Sequence, residues 1–203
     1  MPVTTSFKTF EQFFPENVVH YCYDLWVAHR FTFKITRERI TKLGDYRFDP
    51  DHQLHAISVN NNLNQYAFLI TYLHEVAHLL TYHQLGKKAV PHGKEWKENF
   101  RLLLLPVMND LVFPEDILVP LRRYMIDPKA SSHSDQNLAS ALSTYNSDAP
   151  GTLLSQVDIG SRFIFRERVF EKEQVKRTRV LCKEVISGRK YSISKIARVL
   201  LSE

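Results

Sequence analysis

Hydrophobic positions recur at helical spacing after Pro15, at Val18, Val19, Cys22, Leu25 and Trp26. This predicts an amphipathic first helix with Pro15 in its first turn, led into by Phe7, Phe10, Phe13 and Phe14. The period then changes. Phe31, Phe33 and Ile35 alternate with polar residues, Gly44-Asp45 supplies a turn, and Tyr46 and Phe48 continue an extended run, so a hairpin is expected over 31–48. Asp49-Pro50-Asp51 interrupts the chain before a short strand from His55 to Val59, closed by Asn60-Asn61-Asn62. A long apolar helix is predicted from about Asn64 to Leu85, with Gly86 as its stop signal. Pro91-His92-Gly93 forms a break, after which Trp96, Phe100, Leu103 and Leu104 mark another helix from Lys94 to Leu105. Pro114 and Pro120 punctuate helix or turn pieces between Met108 and Met125.

From Asp127 to Gly151 the chain is rich in Ser, Asn, Asp and Ala and bracketed by Pro128 and Pro150, which reads as a linker with one short helix near Leu138 to Leu142. Beyond it Phe163-Ile164-Phe165, Val175 to Leu181 and Tyr191 to Ile193 are β-prone, and Ser187-Gly188-Arg189 is a turn. A small antiparallel unit of about three strands is expected there. The pattern gives an α+β chain with a first domain over 1–126, a linker over 127–152 and a basic β-rich region over 153–203.

At 203 residues and 44% hydrophobic content the chain can bury a sizeable core, which excludes disorder throughout. Two cysteines, Cys22 and Cys182, are too few for a disulfide scaffold or a four-thiolate zinc site, so Cys22 is expected to pack as a small hydrophobe. The apolar runs, such as Leu102 to Leu105, fall far short of the ~20 residues that span a bilayer, and Met1 to Ser6 do not resemble a signal sequence. A soluble, cytoplasmic protein with no membrane partner is expected. The net charge of +5 is uneven: residues 161–203 carry +7 and residues 1–160 carry −2. Arg162, Arg166, Arg168, Lys172, Lys176, Arg177, Arg179, Arg189 and Lys190 interleave with aromatic residues, a composition suited to DNA contact by phosphate neutralisation and base stacking. The plainer reading of the same pattern is a solvated face.

The candidate chemistry lies in the long helix. His74-Glu75-Val76-Ala77-His78 matches H-E-x-x-H, in which two histidines one turn apart take two positions of a tetrahedral zinc and the glutamate serves as general base. Buried in an apolar helix without a metal, these groups would cost several kcal/mol, on the order of the penalty for unpaired polar groups. A third ligand is needed, and His92, Glu95 and Glu98 are the candidates. A metzincin register is excluded, since Thr81 stands where that pattern needs glycine. A thermolysin-like arrangement would use Glu98; His92 is favoured because Gly93 permits a tight backbone approach and because His92 opens the following helix.

His74-Glu75-Val76-Ala77-His78 followed by His92-Gly93-Lys94-Glu95-Trp96-Lys97 resembles the SprT-like metalloprotease domain, over roughly residues 10–125. The resemblance implies a zincin-like fold, one zinc ion held by His74, His78 and His92, Glu75 as general base, and a protein or peptide substrate, including proteins associated with DNA. Bacterial members often end in a four-cysteine zinc ribbon, whereas this tail keeps only Cys182, so a metal-free ribbon-like hairpin held by Phe163, Phe165, Val175, Val180 and Tyr191 is expected. The rival reading is a nucleic-acid-binding adaptor with a structural or vestigial zinc site. Glu75 argues against it, because a structural site needs ligands but no base.

Overall fold

The computed structural model describes residues 6–129, 135–146, 151–176, 179–195 and 197–202, in two compact units, Met1–Tyr145 and Asn146–Glu203. The first is α+β. It runs α1 (Phe7–Phe13), α2 (Val19–His29), β1 (Thr32–Thr36), β2 (Gly44–Asp49), β3 (Leu54–Asn60), α3 (Gln65–Leu85), α4 (Lys94–Leu104), α5 (Glu115–Tyr124) and α6 (Gln136–Ser143). The aromatic start is itself helical, and Pro15, with extended ψ of 139°, separates it from a short 3₁₀ turn that leads into α2. Phe10, Phe14, Phe33, Phe68 and Tyr72 pack with ring centroids 5.0–6.5 Å apart. Cys22 is fully buried in this core, where its carbonyl accepts the Tyr72 hydroxyl at 2.8 Å.

The expected hairpin over 31–48 does not form. The sheet order is β1-β3-β2, with β3 parallel to β1 and antiparallel to β2. The reason lies in residues 37–43, which cross the end of β3 and are tied down there. Arg39 donates to Asn60 Oδ1 at 2.7 Å and Ser58 Oγ at 3.0 Å, and buried Asn60 donates to the carbonyls of Arg39 and Lys42 at 3.3 and 2.9 Å. The tight turn instead joins β2 to β3, where the Asp49 carboxylate accepts the backbone N–H groups of Asp51 and His52. The strand from His55 to Val59 is thus central, and β1 and β2 are the sheet edges.

Helix α3 begins where the Asn64 side chain accepts the N–H groups of Tyr66 and Ala67, and ends at Gly86, whose φ of 56° lies in the left-handed region that glycine adopts without strain. Pro120 lies inside α5 rather than ending it, because Ile117, Leu118, Leu121 and Tyr124 bury one face of that helix and offset the lost backbone bond. The short helix expected within 127–152 is α6, and it buries Leu138 and Leu142 in the first unit's core. Apolar spacing inside a Ser- and Asn-rich segment outweighs its composition. Among the described residues, no helix is long and apolar enough to cross a membrane.

The second unit is a six-stranded sheet rather than about three strands: β4 (Thr152–Leu153), β5 (Arg162–Phe165), β6 (Arg168–Val175), β7 (Arg179–Glu184), β8 (Lys190–Ser194) and β9 (Arg198–Leu201), in the order β4-β9-β5-β6-β7-β8. Phe163, Phe170, Val180, Cys182, Ile193 and Val199 form its core with Phe165 and Tyr191 against them, while Val175 is exposed. Short length or mixed charge masks the alternation of β4, β6 and β9 in the sequence, and the run expected from Val175 to Leu181 holds the end of β6 and the start of β7 rather than one strand.

Candidate metal centre

Helix α3 places His74 and His78 one turn apart, and the turn before α4 returns His92 to them. The three Nε2 atoms lie 3.1–3.2 Å from one another. Three imidazoles cannot satisfy one another by hydrogen bonding at such a point, because each Nε2 either carries a proton or accepts one, so the three contacts cannot all be hydrogen bonds. A tetrahedral ion bound at about 2.0–2.1 Å has ligand separations of about 3.3–3.4 Å, so the donor set fits a zinc-sized cation. Burial, reinforced by the neighbouring imidazoles, pushes His74 down to about 2 and His78 down to about 4, and burial lowers His92. All three therefore offer lone pairs at neutral pH.

His92 is held in an uncommon backbone conformation. The Gly93 N–H bonds to the Val90 carbonyl at 3.0 Å, closing a turn with Pro91 second and His92, φ 59°, third. Type II turns usually carry glycine at that third position. A side chain at Gly93 would meet the Val90 carbonyl and Cβ at 3.1 Å, so the tight approach expected at Gly93 is present. Trp96 forms the back wall: it is fully buried, its ring lies 4.6, 5.3 and 4.7 Å from those of His74, His78 and His92, and its Nε1–H donates to the His74 carbonyl. Buried Asn99 donates to Thr81 Oγ1 and Gln84 Oε1, both at 3.0 Å, fixing α4 against α3. Glu95 and Glu98 are exposed on α4 and do not join the three histidines.

Glu75 is buried beside the same cavity, of about 500 Å³, which is lined from β2 by Gly44, Asp45 and Tyr46. Desolvation raises its carboxyl to about 8, and Asp45 adds to this, against Arg39, the backbone N–H of Tyr46 and Lys42. A divalent cation nearby acts in the opposite sense and favours the carboxylate. Gly44, read from the sequence only as a turn residue, is what gives Glu75 room: a Cβ there would lie 2.5 Å from Glu75 Oε1 and 2.7 Å from Thr71 Cγ2. Tyr46 was likewise missed; besides its N–H, its ring lies parallel to His78 at 6.4 Å. Neither has a sequence signal, because both act through backbone and register.

The basic residues of the second unit do not converge in this way. Arg162 faces Glu171 at 3.9 Å, and Arg168 is bonded to Glu184 and lies over the Tyr191 ring at 4.5 Å. Lys190 pairs with Glu173 at 2.9 Å. Arg179 donates to Ser192 Oγ at 3.0 Å. Arg166 lies over the Phe165 ring, and Lys176 and Arg189 are exposed. Arg177 lies outside the described residues. Lys172 is buried, donating to the carbonyls of Leu154 and Val157, so it is removed from any surface available to DNA.

An α+β unit with three histidines able to hold a metal ion beside a buried glutamate is a metalloprotease-like domain. The model of the SprT-like family matches residues 5–103, the stretch that contains all three histidines and Glu75. No curated protein and no solved structure gives a significant match.

Proposed function

We propose that the first unit is a zincin-like zinc peptidase acting on protein or peptide substrates. The observation that carries this reading is the approach of His74, His78 and His92 Nε2 to within 3.1–3.2 Å beside buried Glu75. These histidines would hold one zinc ion, which when bound polarises a carbonyl and lowers the pKa of its water toward about 7. Glu75 takes the proton from the attacking water and passes it to the leaving amine. Gly44 and the Tyr46 N–H hold its carboxyl in place for both transfers. Because β2 is an edge strand and lines the cavity, an extended substrate pairs along β2 rather than along the central strand β3. Glu75→Gln should retain zinc and fold while peptidase activity falls about 10²–10⁴-fold, as for loss of a general base. Undiminished proteolysis would overturn the mechanism.

The second unit contributes DNA contact in this proposal. Its support is the +7 charge of residues 161–203, and the residues left to carry it are chiefly Arg166, Lys176, Arg179 and Arg189. Full-length protein should bind duplex DNA with an affinity that falls steeply with salt, and Lys176→Glu with Arg179→Glu should weaken it and flatten that slope. Anisotropy that is insensitive to salt and to these substitutions would leave the sheet as a solvated face.

A further inference from the structure

A second group of histidines stands apart from the first. His55 on β3 and His83 in the last turn of α3 bring their Nε2 atoms to 3.2 Å, the separation seen among His74, His78 and His92. The other ring nitrogen of His55, Nδ1, is 2.9 Å from the Tyr46 hydroxyl. Phe48 and Tyr82 pack against the His55 ring at 4.9 and 5.7 Å, limiting its rotation. A third imidazole, His29 at the end of α2, lies 6.2 Å from the His83 ring. Three elements distant in sequence thus bring histidines to one place.

We propose that His55 and His83 form a second binding site for a divalent transition metal of the zinc class, separate from that of His74, His78 and His92. Two imidazoles that face each other through the same nitrogen share either a proton or a cation. The Tyr46 hydroxyl favours the cation, because a histidine that binds metal through Nε2 carries its proton on Nδ1, and a hydrogen-bond acceptor there fixes that tautomer. Imidazole donors select zinc, copper and nickel over magnesium and calcium. With two protein ligands and water completing the shell, the site binds more weakly than the three-histidine group. Its ion joins β3 to the end of α3. Tyr46 stands between the sites, its ring within 14° of parallel to His55 and 4° of parallel to His78, so one aromatic ring separates the second metal from the candidate centre.

Calorimetric titration of metal-free, full-length protein with zinc chloride tests this without reference to peptidase activity. Two binding events per chain are expected. His55→Ala and His83→Ala should each remove the weaker event and keep the tighter, whereas His92→Ala should weaken the tighter and keep the weaker. Magnesium chloride should give neither. Thermal unfolding should rise in two steps with zinc concentration, the second absent from the His83 variant. His83→Gln, at an exposed position where helix propensity is preserved, repeats the test should His83→Ala fail to fold. A single event in the unsubstituted protein, or a weaker event that survives both substitutions, would overturn the site and leave His55–His83 as a hydrogen-bonded pair.

Discussion

In the first unit three imidazole nitrogens approach to within 3.1–3.2 Å, whereas in the second Arg162, Arg168 and Lys190 each face a carboxylate, Glu171, Glu184 and Glu173. Like groups brought together out of water are unfavourable unless something binds between them, so convergence points to a ligand. Opposite charges alternating across strands satisfy one another, and their net charge then says little about a specific site. Both units also place non-glycine residues at positive φ: Arg30, Gln53 and His92 at 50°, 54° and 59° in one, Arg166 and Glu167 at 52° and 61° in the other. Of these, His92 alone turns its side chain to the candidate centre.

The strongest way to break this comparison is to remove the wall that holds the imidazoles together. Trp96→Ala should destabilise the first unit by about 3–5 kcal/mol, as for other buried aromatic truncations, and should also weaken zinc binding. Denaturant unfolding and metal titration check the two effects; full metal affinity in a destabilised variant would mean that α3 and the His92 turn position the ligands without α4. Gly44→Ala comes next. Its Cβ would occupy space held by Glu75 and Thr71, so the carboxyl must move, at about 1–3 kcal/mol for overpacking. Zinc content should be unchanged while peptidase activity drops at least tenfold, a split that separates the glutamate from the ligands.

The helices were legible because burial and period coincide in them. Asn64 and Gly86 bound α3 by local chemistry that needs no tertiary information, and the His74–His78 pair follows from one helical turn. The sheet was less legible. The order β1-β3-β2 depends on Arg39 and Asn60 anchoring a crossing loop, and hydrogen bonds between residues 21 apart leave no periodic mark. Gly44 and Tyr46 entered the candidate centre through that order, so they were hidden for the same reason. Helix α6 was legible in spite of its polar surroundings, because Leu138 and Leu142 keep helical spacing. In the second unit, charge read from sequence overstated the free basic surface, since strand pairing decides which cation meets which carboxylate.

A smaller effect sharpens the second half of the comparison. Arg168 and Ser187 hold Glu184 down to about 2, below its ordinary 4.5. A carboxyl whose folded pKa is depressed stabilises the fold above its unfolded pKa, and that contribution is lost as pH falls from 4.5 toward 2. Thermal unfolding should therefore show a melting temperature that declines over this acidic window, and Glu184→Gln should decline less steeply. Equal slopes for the two proteins would show that the Arg168–Glu184 pair is no more than a surface contact.

The smallest expected effect concerns the strained hairpin. Phe165 pairs with Arg168, so Arg166 and Glu167 alone form the loop between β5 and β6, with both residues at positive φ. Two-residue loops of this geometry favour Asn-Gly, because a left-handed backbone costs an ordinary L-residue about 1–2 kcal/mol. Arg166→Asn with Glu167→Gly should stabilise the second unit by about 1 kcal/mol, after loss of the Arg166 contact with the Phe165 ring, worth about 0.5–1 kcal/mol at an exposed position. The matching change in the first unit, His92→Gly, should also ease the backbone, but it removes an imidazole and with it zinc affinity. If the hairpin variant is more stable and keeps its DNA affinity, the turn carries strain without a binding role. If it is more stable and loses salt-dependent DNA affinity, Arg166 holds its conformation for contact with phosphate, and the two units then differ in the ligand their strained residues face rather than in whether they face one.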